Sequence, residues 1–239
     1  MKILALETSG MSGSVATFDT SAEITPREVR LAEGQRSARA LAPAIGRSLA
    51  EIGWQPGDVN VVAVTVGPGS FTGLRIGITT AKMLAYAWKA DVIAVDTLDV
   101  LARQTENEAG TRSAVALHTI LDAHRQELFT AQFNRDGNGR WQRNSVSRLI
   151  GIDAWLASLQ PDEAVTGPML DKLVERLPPQ IARSPRETWE PSAGTVARLA
   201  AEYHTAGRRD DPFQLLPHYL RLAAAEEKRL QTPVGDRTR

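Results

Sequence analysis

Gly67-Pro68-Gly69-Ser70-Phe71-Thr72-Gly73-Leu74-Arg75-Ile76-Gly77 is the stretch from which the rest of the sequence can be read. It follows Val59 to Val66, an apolar run rich in β-branched residues that predicts a buried strand. It leads into Leu74 to Trp88, which holds good helix formers and no proline. Strand, glycine loop and helix start in that order bring backbone N–H groups and the positive end of a helix dipole to one point, which suits an anion. The spacing matches neither phosphate fingerprint. A P-loop needs Gly-Lys-Ser/Thr after four intervening residues, and no lysine stands in that register; a dinucleotide loop needs glycine where Thr72 stands. The other reading is a tight turn whose glycines supply unusual backbone angles.

The helix after the loop carries a second signal. Gly73, Gly77, Ala81 and Ala85 recur every four residues and so share one face. Glycine inside a helix costs about 1 kcal/mol relative to alanine, so a close neighbour is expected to offset it. An element of the same domain and a helix of a second chain both satisfy the spacing.

Upstream, Ile3 to Ser9, Ser14 to Asp19 and Glu28 to Leu31 read as three strands of an antiparallel meander. Ala38, Leu41, Ala42, Ile45, Leu49 and Ile52 then form one apolar helical face, closed by Gly53. Downstream come a strand at Val92 to Val95 and a helix capped by Thr97 and running to about Glu108. The pattern then restarts. Ala114 to Leu121, Glu127 to Phe133 and Trp141 to Leu149 read as strands, with a turn at Arg135 to Gly139. A helix at Ile152 to Leu159, a strand at Glu163 to Thr166, and helices at Asp171 to Leu177 and Ala193 to Ala206 follow, the last capped by Ser192. Such an order predicts an α/β protein of two halves with parallel strands late in the first. The expected units are residues 1–108, residues 109–222, whose last helix has the option of packing back on the first half, and a polar tail at 223–239.

Composition narrows the functional classes. The 239 residues are 42% hydrophobic and 23% charged, enough for a sizeable core. Lys plus Arg equals Asp plus Glu at 28 each, against a domain whose main affinity is for phosphate backbone. The chain has no cysteine, so disulfide and thiol chemistry are excluded. Met1 to Glu7 meets an acid after four apolar positions, too short for a signal peptide, and no run approaches a membrane span. A soluble cytoplasmic protein is expected.

Candidates for chemistry are few. His118, His124, His204 and His218 form no two-ligand helix spacing. His118 sits in an apolar strand as a core histidine would, and His124 stands beside Asp122. Ser70 lacks the Gly-x-Ser-x-Gly elbow. Glu7, Asp96 and Asp122 each fall near a strand end, where α/β sheets hold ligands, and each is equally placed to cap a turn.

Met1-Lys2-Ile3-Leu4-Ala5-Leu6-Glu7-Thr8-Ser9, the undecapeptide at 67–77, Asp122-Ala123-His124-Arg125 and Pro217-His218-Tyr219-Leu220-Arg221 occur in this order in the TsaB (YeaZ) family, which the chain resembles over nearly its whole length. The resemblance implies two ribonuclease-H-like domains of the actin/Hsp70/sugar-kinase (ASKHA) superfamily. It also implies a non-catalytic scaffold in making threonylcarbamoyladenosine beside the anticodon of tRNAs reading A-starting codons. The implied partners are a TsaD-type paralogue, which carries the transfer, and a TsaE-type ATPase. A homodimer is the alternative when the chain is alone, and tRNA is met only through the complex. No cofactor and no metal are implied. The implied interface is the helix from Arg36 to Ile52 with the helix from Gly73 to Trp88, hence Ala38, Leu41, Ala42, Ile45, Gly73, Arg75, Ile76, Gly77, Thr80, Ala81 and Leu84. On this reading Gly73 and Gly77 thin a helix for another subunit.

The sequence departs from its catalytic relatives in four places. Arg36 and Ala40 stand where the paralogue has its metal-binding histidines. Glu7 replaces an aspartate of the first phosphate strand. The 122–125 turn has no glycine, and Gly167-Pro168-Met169 has one where nucleotide-binding relatives use several. The competing function is an ATP-dependent phosphotransferase or ATPase using Glu7, Gly67 and Gly69 as its nucleotide site. A peptidase, the third reading, lacks both metal pair and nucleophile motif.

Overall fold

The computed structural model describes residues 1–22, 25–31 and 38–220. Arg36, expected to open the first helix, and the tail from 223 lie outside the described residues, as does the side chain of Ala38.

The first half is a five-stranded sheet in the order β3-β2-β1-β4-β5, built from β1 (Lys2–Glu7), β2 (Ser14–Asp19), β3 (Arg27–Arg30), β4 (Val61–Gly67) and β5 (Asp91–Asp96). β1 pairs antiparallel with β2 and parallel with β4, which runs parallel to β5. The central strands are covered on both sides, and the two-residue period sorts their side chains. Leu4, Leu6, Val62 and Val64 face a layer containing Leu41, Ala44, Ile45 and Leu49 of α1 (Ala38–Glu51) and Leu74, Ile78, Ala81 and Ala85 of α2 (Phe71–Trp88). Ile3, Ala5, Val61 and Ala63 face the opposite layer, filled by Ala193, Val196, Ala197 and Ala200 of α6 (Ala193–Thr205).

The second half is a sheet in the order β11-β10-β6-β7-β8, with β6 (Ala116–Asp122), β7 (Glu127–Arg135), β8 (Trp141–Arg143), β10 (Glu163–Thr166) and β11 (Ala182–Arg183); β9 (Arg148–Gly151) also pairs with β7. α3 (Thr97–Gln104) packs on one face through Leu98, Leu101 and Ala102. α4 (Ile152–Ser158) and α5 (Leu170–Leu173) pack on the other. Two helices thus cross between the halves: α3, early in the chain, completes the second core, and α6, late in the chain, completes the first.

Several boundaries differ from expectation. The helix cap is Asp96 rather than Thr97, because its carboxylate accepts from Leu98 N at 2.8 Å while Thr97 is turned into the core. α3 stops at Gln104, and a short 3-10 turn at Ala109–Thr111 follows. The single strand expected from Trp141 to Leu149 is two short ones, since Asn144 N and Ser145 N both donate to Gln132 O and turn the chain out of register.

Candidate functional site

The glycine loop is filled by its own chain. Gly67 has φ +112° and Gly69 φ +153°, conformations that L side chains rarely adopt. A β-carbon on Gly69 would stand 2.7 Å from Ser9 O, and one on Gly67 3.2 Å from His218 O. Ser70 N donates to Ser9 O at 2.9 Å, and His218 N donates to Val66 O at 2.7 Å. At the start of α2, Ser70 Oγ accepts from Gly73 N at 3.3 Å and caps the helix, and Ser70 O accepts from Leu74 N as the first helical bond. The loop therefore lies between the end of β1 on one side and a C-terminal strap, residues 210–220, on the other.

The strap ties the molecule together. Asp210 bridges to Val92, and its carboxylate accepts from Ala94 N. Leu215 enters the core beneath α2, whose Lys82 Nζ donates to Leu215 O at 3.3 Å. Tyr219 stacks on Phe71 at 5.1 Å and its hydroxyl accepts from Arg75 Nε at 2.9 Å; Leu220 packs on the second half's core.

Glu7 sits beneath the loop, fully buried. Its Oε1 accepts from Ser9 N at 2.6 Å, from Ser9 Oγ, from Gly10 N at 3.2 Å and from Thr65 Oγ1 at 3.4 Å, so it closes the turn that follows its own strand. Burial pushes its carboxyl up to about 7, with Ser9 and Gly10 opposing the rise. The other strand-end carboxylates also do local work. Asp96 caps α3 and meets Arg143 Nη2 at 2.8 Å, while Asp122 accepts from His124 N at 2.7 Å and pairs with Lys172 at 2.5 Å. His124, Arg125 and Gln126 have φ of 60°, 53° and 61°, three left-handed residues in a row that project into solvent. His118 is a core residue: Trp155 Nε1 donates to its Nδ1 at 3.4 Å, so Nε2 carries the proton and faces Glu163 at 3.0 Å. Among the described residues no group of three or more His, Cys, Asp or Glu could hold a metal.

The four-residue stripe on α2 faces inward. A β-carbon on Gly73 would overlap the carbonyl oxygen of Thr8, and one on Gly77 the Thr8 hydroxyl, while Ala81 and Ala85 are buried. The expectation that Gly73 and Gly77 thin the helix for another subunit is thereby corrected: the neighbour they admit is the end of β1. Leu41 and Ile45 are likewise in the chain's own core. Of the expected interface set, Ala42 and Arg75 are exposed, and Ile76, Thr80 and Leu84 are half-buried.

The outward face also holds residues that the sequence reading did not name. On α2 it adds Phe71, Thr79, Met83 (66% exposed) and Tyr86 (75%), and on α1 it adds Gly46, whose β-carbon would meet nothing within 4 Å. The strap contributes Phe213 (75%) and Leu216 (67%). Large apolar side chains gathered on one helix and its neighbouring strap are the signature of a docking surface. The signal available in sequence was the apolar pair Met83 and Tyr86 opposite the small-residue stripe.

Comparison with known proteins agrees with the architecture. The family model described as TsaD: tRNA N6-adenosine threonylcarbamoyltransferase matches residues 27–205. The Bacillus subtilis tRNA threonylcarbamoyladenosine biosynthesis protein TsaB is 28% identical over 97% of this chain and 99% of its own length. The chain belongs to the TsaB (YeaZ) family. The Escherichia coli member is 34% identical over 63% of this chain and 62% of its own length. YeaZ from Pseudomonas aeruginosa superposes with a TM-score of 0.76 at 25% identity, covering 92% of this chain and 99% of that one. A second Pseudomonas aeruginosa structure, described as an uncharacterized protein with similarity to peptidase YEAZ, gives a TM-score of 0.78 at 26% identity over the same shares. The two sheets with their crossing helices are accordingly the fold of the YeaZ structures.

Proposed function

We propose that this chain is a non-catalytic subunit of the machinery that forms N6-threonylcarbamoyladenosine in tRNA, and that it works by docking a TsaD-type paralogue on the outward faces of α1 and α2. The observation that carries this reading is the division of α2 into two sides. Its loop and inner side are taken up by Thr8, Ser9 and His218 of the same chain, whereas its outer side presents Met83 and Tyr86 to solvent. A side occupied by the chain itself and a side that is open and apolar suit a scaffold better than a phosphotransferase. The names of the family's members, TsaB for tRNA threonylcarbamoyladenosine biosynthesis, supply the process.

On this reading the substrates are the tRNAs that read A-starting codons. The chain meets them only through the complex, which agrees with its zero net charge. A TsaE-type ATPase joins the assembly, and the cytoplasm is its place. Without a partner the same apolar face offers itself to a second copy. Among the described residues no helix is long and apolar enough to cross a membrane.

The test is co-purification. The chain should bring down the TsaD-type protein of its own organism. Met83→Asp together with Tyr86→Asp should leave folding intact and lose the complex. A folded double variant that still binds with unchanged affinity would reject the docking face.

A further inference from the structure

Arg75 is an anomaly that the docking reading does not by itself explain. It lies one turn inside the N-terminus of α2, where the helix dipole disfavours a cation, and the first turn of that helix holds no acidic residue. Its guanidinium is exposed, and no carboxylate among the described residues pairs with it. It is nevertheless held in place. The group lies 3.9 Å from the Phe71 ring and 5.9 Å from that of Tyr219, and its Nε donates to the Tyr219 hydroxyl. Nε of the fork is thus fixed, and among the described residues no hydrogen bond from its two terminal nitrogens is seen.

The surrounding charge has the same sense. Over α1 and α2 the charged side chains are Arg39, Arg47, Arg75 and Lys82 against the single acid Glu51, in a chain whose total charge is zero. A cation that is pre-positioned, set in a one-sided field and unpaired among the described residues lacks an anion there.

We propose that Arg75 is the charged anchor of the docking face and takes a carboxylate presented by the partner protein, with Tyr219 of the strap as its positioning residue. This rests on the docking reading above. Apolar Ile76, Met83 and Tyr86 on the same helix favour a protein carboxylate over an RNA phosphate, which would ask for further cations beside Arg75 rather than for apolar neighbours. The arrangement also gives the Pro217-His218-Tyr219-Leu220 motif a task. It crosses the glycine loop and delivers the tyrosine that aims Arg75.

The test measures affinity for the TsaD-type protein of the same organism by calorimetry at low and high salt, with unchanged thermal unfolding required of every variant. Arg75→Glu should weaken binding about 100-fold or more, through like-charge contact. Arg75→Lys should lose roughly tenfold, because a point charge cannot stack or fork. Tyr219→Phe should weaken binding several-fold, and the loss should vanish in an Arg75→Ala background, as a merely structural tyrosine would not. Salt should weaken the wild type more than Arg75→Ala. An acid-to-lysine change on the partner that restores binding to Arg75→Glu would complete the case.

Wild-type affinity in Arg75→Glu, with binding lost in Met83→Asp, would overturn the anchor and leave the docking face standing. Full binding in both would reject the face itself. A loss seen only when tRNA is present would assign Arg75 to phosphate and overturn the proposal. So would tighter binding by Glu226→Gln with Glu227→Gln that depends on Arg75, since it would make the chain's own C-terminal acids the occupant.

Discussion

Glu7→Gln isolates the buried carboxyl beneath the glycine loop. The group rises from 4.5 to about 7 in the folded chain, chiefly because burial disfavours its charged form. The folded state therefore holds this proton more tightly than the unfolded state. Below pH 4.5 both states are protonated and the group has no effect on stability. Between pH 4.5 and about 7 the unfolded chain releases the proton first, so stability falls as pH rises. Above about 7 the full penalty is present, roughly 3 kcal/mol for a shift of this size. Glutamine cannot ionise, and its Oε1 can accept from the same Ser9, Gly10 and Thr65 donors. Its amide nitrogen replaces Oε2, which makes no hydrogen bond. The variant should match the wild type at pH 4.5 and exceed it by up to about 3 kcal/mol at pH 8, which for a chain of this size is about 6–12 °C in melting temperature. Urea unfolding of both proteins across this range reads the difference directly. A difference that does not change with pH, or a variant less stable than the wild type at pH 8, would refute the assignment of a buried carboxyl that burial holds protonated.

Other outcomes follow from the same contacts. Gly77→Ala drives a methyl into the Thr8 hydroxyl and should destabilise the monomer by about 1–3 kcal/mol; Thr8→Ala in the same chain should recover much of it, as thermal unfolding of the double-mutant cycle will show. Glu163→Ala strips the acceptor from His118, Gln132 and Gln160 N in a buried network, and a loss of about 2–4 kcal/mol in denaturant unfolding is expected. Gly67→Ala adds a side chain at a positive φ against the His218 carbonyl and should loosen the strap, measured as faster amide exchange at His218.

The fold was legible where periodicity is strong. The continuous apolar runs of β1 and β4 announce strands buried on both faces, the helical spacing of α1 marks most of its buried side, and Ser192 announces α6 by its capping oxygen. The small residues on α2 were legible as a face but not as a direction. Spacing states that Gly73 and Gly77 share a side, and only tertiary structure shows that Thr8 presses there. The strap was opaque for a different reason. Residues 210–220 form no helix, make one isolated bridge and hold their place through single backbone bonds to Val66 and Val92, which leave no period in the sequence. Two-residue β11 was below the length at which alternation can be seen. For Glu7, Asp96 and Asp122 the sequence offered ligand or cap, and the geometry assigns each a cap or turn of its own.

The central claim is that the outward face of α2 binds a TsaD-type protein and that this binding is what the chain contributes. The most direct measurement is the mass of the complex formed with that protein, for wild type and for Met83→Asp with Tyr86→Asp, together with the threonylcarbamoyladenosine content of tRNA made by each mixture. The wild type should give a complex and modified tRNA, and the variant should fold yet yield neither. A variant that forms no complex yet supports modification as well as the wild type would contradict the claim.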